Sequence, residues 1–183
     1  MIRAFVALPL PDEVRQTLEA AQAGLPAGRP VAPENFHVTL VFLGEHPEPV
    51  VEDLHHVLED VKAPGFAVKL AGVGVFGGAV PRLLHAGVEA GPELAHLRRK
   101  VARAARETGI EVPSKRFIPH VTLARFPKEM PGEDLAAIQG FVARRLDLRA
   151  GPFPAERFAL YRSTLGRNGA IHEELADYPL GRA

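Results

Sequence analysis

The sequence has 183 residues, 46% apolar and 24% charged, the proportions of a globular protein with a real core, which excludes a disordered, collagen-like or rod-like chain. It contains no cysteine, so disulfides, thiol nucleophiles and cysteine-ligated zinc are excluded as well. The 22 Lys/Arg balance the 22 Asp/Glu, yet residues 1–91 carry 6 against 11 and residues 92–183 carry 16 against 11.

Ile2–Leu8 is apolar and reads as a first strand, since Pro9 and Asp12-Glu13 interrupt it too soon for a signal peptide. The default compartment is then the cytoplasm. Pro11-Asp12-Glu13 opens a helix with Val14, Leu18, Ala21 and Leu25 along one stripe. The Pro/Gly-rich stretch from Pro26 to Pro33 reads as a connector, and Phe36–Leu43 as a strand. Pro47 and Pro49 precede a second helix facing inward through Val50, Leu54, Val57, Leu58 and Val61, and Phe66–Phe76 is the next strand.

The second half repeats this order. Arg82–Ala90 reads as a strand, and Gly91-Pro92-Glu93 opens a helix with Leu94, Leu97, Val101 and Ala104 on one face. Phe117–Phe126 reads as a strand, and Pro131 starts a helix with Leu135, Ile138, Val142 and Leu146 inward. Glu156–Leu165 and Ile171–Tyr178 form a final hairpin across Gly166–Gly169. Pro11 and Pro92 stand 81 residues apart, and His37 and His120 stand 83 apart, which points to an internal duplication. The expected fold class is α+β: one domain over 1–183, with approximate repeats 1–80 and 81–183. The repeats form two pseudo-symmetric lobes, each an antiparallel sheet with helices outside, and a cleft lies between them.

The matching strands carry one tetrapeptide twice, His37-Val38-Thr39-Leu40 and His120-Val121-Thr122-Leu123. Strand alternation projects His37 with Thr39, and His120 with Thr122, while Phe36, Val38, Leu40 and Phe42 take the opposite face. Two such strands facing a cleft offer two imidazoles and two hydroxyls to one ligand. Histidine titrates near neutrality and serves as acid or base, and threonine hydroxyls donate to oxygens on which negative charge builds. That set suits in-line displacement at a phosphodiester, where one group takes a proton and another returns one.

Phe5-Val6-Ala7-Leu8-Pro9, the run Asn35 to Gly44 around the first motif and Phe117 to Arg125 around the second extend the pattern. Over essentially its whole length the chain resembles the 2H phosphoesterase superfamily. Within it, the chain is most similar to the bacterial and archaeal 2'-5' RNA ligases, or RNA 2',3'-cyclic phosphodiesterases. The resemblance implies hydrolysis of RNA 2',3'-cyclic phosphate ends to 2'-phosphates, with His37 as proton donor, His120 as proton acceptor and Thr39 and Thr122 beside them. It also implies reversible, ATP-independent 2'-5' joining of RNA ends. The family often places a basic residue after the second motif, here Arg125, although strict alternation turns Arg125 away from His120 and Thr122 unless a bulge re-aims it. Two alternatives stay open, a phosphodiesterase for small cyclic nucleotides and a non-catalytic RNA-end binding module.

Gly72 to Gly77 matches a dinucleotide fingerprint formally, but a strand follows it instead of a helix, so it reads as a glycine-rich hairpin. His46, His55, His56 and His96 show no metal-ligand spacing, and no metal or other cofactor is expected. No apolar run reaches membrane-spanning length, so no membrane partner is expected, and the chain is taken as a monomer. The basic run from Arg98 to Arg116 is the expected path for RNA.

Overall fold

In the computed structural model, which describes residues 1–114, 116–166 and 169–181, strands and helices alternate through most of the chain. The order is β1 (Ile2–Pro9), α1 (Asp12–Gln22), β2 (Arg29–Pro30), a 3₁₀ turn (Pro33–Asn35), β3 (His37–His46) and α2 (Glu48–Glu59). There follow β4 (Phe66–Gly77), β5 (Pro81–Ala90), α3 (Pro92–Glu107), β6 (His120–Arg125), α4 (Gly132–Ala143), β7 (Arg149–Ala155), β8 (Arg157–Gly166) and β9 (Gly169–Pro179). Each helix opens at a proline, Pro11, Pro47, Pro92 or Pro131, with acids in its first turn, where a fixed φ and the helix dipole both favour them.

Hydrogen bonds join the strands in the order β7-β4-β5-β6-β3-β1-β8-β9, with β2 added against β6, and these pairings are antiparallel. The expected α+β fold with two matching halves is therefore present, but the halves join into one curled sheet. Their junction is narrow: β3 meets β6 through the single pair Val38↔Val121. The lobes are also not consecutive stretches of chain. β4 pairs with β5 and β7, while β8 and β9 return to β1. The helices interleave in the same way, since α1 packs on β6 and β7, and α3 on β3.

Behind the sheet, Leu18 of α1, Leu54 and Leu58 of α2, Leu97 and Val101 of α3 and Ile138 of α4 are buried with the apolar faces of the strands. Four details differ from the sequence expectations. In α2 the buried valine is Val51, with Val50 and Val57 only partly covered. In α4 the inward residues are Ile138 and Phe141, whereas Leu146 lies beyond the helix and is 62% exposed. The second motif strand starts at His120 instead of Phe117, because Pro119 has no N–H for the ladder. β7 was hidden by its two prolines, which an edge strand tolerates. The final hairpin forms as expected, although Arg167 and Asn168 of its turn lie outside the described residues.

Candidate active site

The Val38↔Val121 pair puts the two tetrapeptides side by side. Around an antiparallel pair, Thr122 stands beside His37 and His120 beside Thr39, with all four half-buried on one face while Val38 and Val121 are fully buried on the other. The motif histidines are held alike. His37 Nδ1–H donates to Asn35 O (2.8 Å), and His120 Nδ1–H donates to Ile118 O (2.8 Å). A carbonyl two residues upstream therefore selects the same tautomer in each ring and leaves the Nε2 lone pair available. His37 Nε2 is 3.1 Å from Thr39 Oγ1.

Both motif strands contain a β-bulge at the same place. Val6 pairs with Val41 but Ala7 pairs with Thr39, leaving Leu40 as the extra residue. Leu84 pairs with Ala124 but His85 pairs with Thr122, leaving Leu123 extra. Each bulge buries two consecutive side chains and shifts the alternation by one. Two sequence expectations change as a result. Phe42 is 47% exposed instead of buried with Leu40, and Arg125 joins the face of Thr122. The Leu123 carbonyl accepts from Val31 N–H (2.8 Å) and Gln22 Nε2 (2.5 Å), so the bulge also straps the β2 segment across β6. Gly28 permits that approach: with φ +91°, it lies where a Cβ would meet the Phe126 ring at 2.5 Å.

Under this strap is a cavity of about 380 Å³, within the size range of small-ligand sites. His37, Thr39, Thr122 and Arg125 line it, whereas His120 sits outside its lining, against Phe76 and His85. Arg29 and His172 line it as well, and among the described residues no carboxylate does. Arg29 stands directly across the ladder from Arg125. Like charges so placed repel, and an anion between them relieves that repulsion.

Sequence reasoning passed over His85 and His172, yet each packs on a motif histidine. His172 meets His37 at a centroid distance of 5.1 Å and 68°, and His85 meets His120 at 5.7 Å and 67°. A phenylalanine serves each pair: Phe5 stacks on His37 at 4.7 Å and meets His172 edge-on, and Phe76 stacks on His85 at 4.0 Å and meets His120 edge-on. Gly74, opposite His85, makes room for it, since a Cβ there would stand 3.2 Å from its ring. The glycine-rich hairpin thus shapes the site without being a dinucleotide loop. The only signal in the sequence was an imidazole in each of two strands, and its meaning depends on strand neighbours.

The electrostatics follow from burial. Burial pushes the His37 imidazole down to about 4, with His172 adding to the effect, the bond to Asn35 opposing it, and His120 and Arg125 contributing less. Burial, then His120, lowers His85, and burial, then Arg125, lowers His172. His37 is therefore neutral at pH 7 unless an anion stands beside it.

The basic run lies elsewhere. Arg98 stacks over the Phe117 ring at 4.8 Å, Lys100 donates to the Lys62 carbonyl, and Arg103 pairs with Glu107 at 3.5 Å. Among the described residues, the arginines that line the cavity are Arg29 and Arg125, and Lys115 is outside the described residues. His55, His56 and Glu59 on α2 bring ligating atoms within 4.8 Å of one another, but none of them lines the cavity. His55 Nδ1 is 2.9 Å from the Tyr178 hydroxyl. No helix among the described residues is long and apolar enough to cross a membrane.

A curled α+β sheet that joins two His-x-Thr strands at its waist defines the 2H phosphoesterase class. The chain belongs to the 2'-5' RNA ligase superfamily, whose family model matches residues 9–167. It is 35% identical to an RNA 2',3'-cyclic phosphodiesterase of Thermus thermophilus, covering 98% of this chain and 90% of that protein. It is 32% identical to another so named from Geobacillus stearothermophilus, covering 96% of this chain but spanning only 56% of that protein. The crystal structure of Escherichia coli LigT complexed with 3'-AMP superposes with a TM-score of 0.78 at 26% identity, covering 98% of each chain.

Proposed function

We propose that this protein hydrolyses 2',3'-cyclic phosphates at RNA ends to 2'-phosphates. The observation that carries this reading is the Val38↔Val121 pair, which sets both His-Thr pairs around one point on one face. In the proposed reaction a water oxygen attacks phosphorus while its proton passes to His120 Nε2. The P–O3' bond breaks and O3' takes the proton from His37 Nε2, leaving a 2'-phosphate beside a 3'-hydroxyl. Thr39, Thr122 and Arg125 donate to the non-bridging oxygens as charge builds on them. A 5'-hydroxyl in place of water, attacking the same phosphorus, makes a 2'-5' linkage without ATP. The names of the Thermus and Geobacillus relatives support the RNA terminus as substrate. The decisive experiment compares a short RNA ending in a 2',3'-cyclic phosphate with 2',3'-cyclic AMP, in excess EDTA. The expected outcome is a 2'-phosphate product from the RNA with the higher kcat/KM. A 3'-phosphate product, or turnover of the mononucleotide alone, overturns this reading.

The acid role of His37 requires a proton that burial by itself disfavours. A phosphate anion beside the ring reverses this, because an opposite charge favours the imidazolium and raises its pKa. Binding of 2'-AMP at pH 7 is therefore expected to take up protons, measured by calorimetry in buffers of different ionisation enthalpy. The uptake should shrink in His37→Asn. Undiminished uptake in that variant would mean that another group receives the proton.

A further inference from the structure

We infer that His172 is a further substrate-binding residue of this site, donating its Nε2–H to an oxygen of the terminal nucleotide. The inference rests on the function proposed above and adds to it a residue outside the two motifs. His172 projects from β9 into the lining of the cavity that also holds His37, Thr39, Thr122 and Arg125. Its ring packs at a steep angle across the edges of the stacked Phe5 and His37 rings, 4.8 Å from the Phe5 centroid and 5.1 Å from that of His37. Its Nδ1 is wholly buried and has no hydrogen-bond partner among the described residues, which leaves Nε2 as the ring nitrogen that can meet the cavity His172 lines.

That orphaned nitrogen sets the tautomer. A buried N–H without an acceptor is rarer and more costly in proteins than an unsatisfied lone pair, so Nδ1 is left bare and the proton sits on Nε2. Burial and the nearby Arg125 charge keep the ring neutral at pH 7. His172 consequently differs from the motif histidines. Their Nδ1–H is tied to a backbone carbonyl, leaving Nε2 free to exchange a proton. His172 has the opposite tautomer and presents a neutral N–H to the cavity. No side-chain hydrogen bond holds His172 Nε2 among the described residues and no carboxylate there lines the cavity, so the acceptor we assign to this N–H is an oxygen of the ligand. A sugar or phosphoryl oxygen on the His37 side meets the requirement.

Ring-nitrogen NMR on the full chain tests this directly, first free and then with 2'-AMP. The expected spectrum shows the Nε2–H tautomer for His172 and a shift of its Nε2 resonance on titration. An Nδ1–H tautomer, or a resonance unmoved while 2'-AMP saturates the protein, overturns the inference. Kinetics on the cyclic-phosphate RNA supply the second arm. His172→Phe keeps the packing on Phe5 and is expected to raise KM about tenfold with kcat nearly unchanged, the signature of a contact made equally before and during reaction. His172→Gln, which keeps a donor at similar reach, should recover most of that loss. A His172→Phe variant with wild-type KM overturns the inference while leaving the two-histidine reading intact. A wild-type protein inactive on both cyclic phosphates overturns that reading first.

Discussion

His37→Ala and His120→Ala are each expected to lower kcat on the cyclic-phosphate RNA by about 10²–10⁴, the range that general acid–base groups contribute. Single-turnover measurement at saturating substrate checks this. The double variant should fall little below the worse single one, because acid and base act in one transition state and their losses do not add. The fold should survive both changes. His120 and His37 are only half-buried by their exposed surface, and the core beneath them consists of Val38, Val121, Leu40 and Leu123. Near-wild-type turnover in either variant would remove that residue from the proton-transfer pair.

The leaving group distinguishes the roles of the two imidazoles. On a nucleotide p-nitrophenyl ester the departing phenolate needs no proton, so His37→Ala should regain most of its lost rate, while His120→Ala should stay impaired by about 10²-fold or more. The cavity lies on the His37 side, where the departing sugar oxygen would stand in the proposed reaction, and His120 sits outside it. Comparing kcat for the two esters across both variants measures this. Rescue of His120→Ala instead would exchange the donor and acceptor roles.

Several features were legible because they depend on residues close together in the chain. The helices α1, α2 and α3 follow from prolines, first-turn acids and the 3.6-residue stripe through residues such as Leu18, Leu54 and Leu97. The four motif residues were found because an identical tetrapeptide at matching places is a one-dimensional signal. Period-two alternation then put each histidine on the face of its threonine. In α4 the helical spacing extends to Leu146, which falls past the end of the helix and is exposed.

Local periodicity and repetition carried the α+β class and singled out the two His-x-Thr tetrapeptides as matching candidates. Tertiary structure alone decided that the halves exchange strands and helices, that Leu40 and Leu123 bulge, and that Arg125 and Phe42 turn to the cleft face. A bulge is a property of two paired strands, and no residue type in either strand announces it. The same holds for His85 and His172: each comes beside a motif histidine only because β5 lies beside β6 and the β9 ring packs on Phe5 and His37. Burial, which sets the charge of His37, depends on those same neighbours and has no counterpart in the order of residues along the chain.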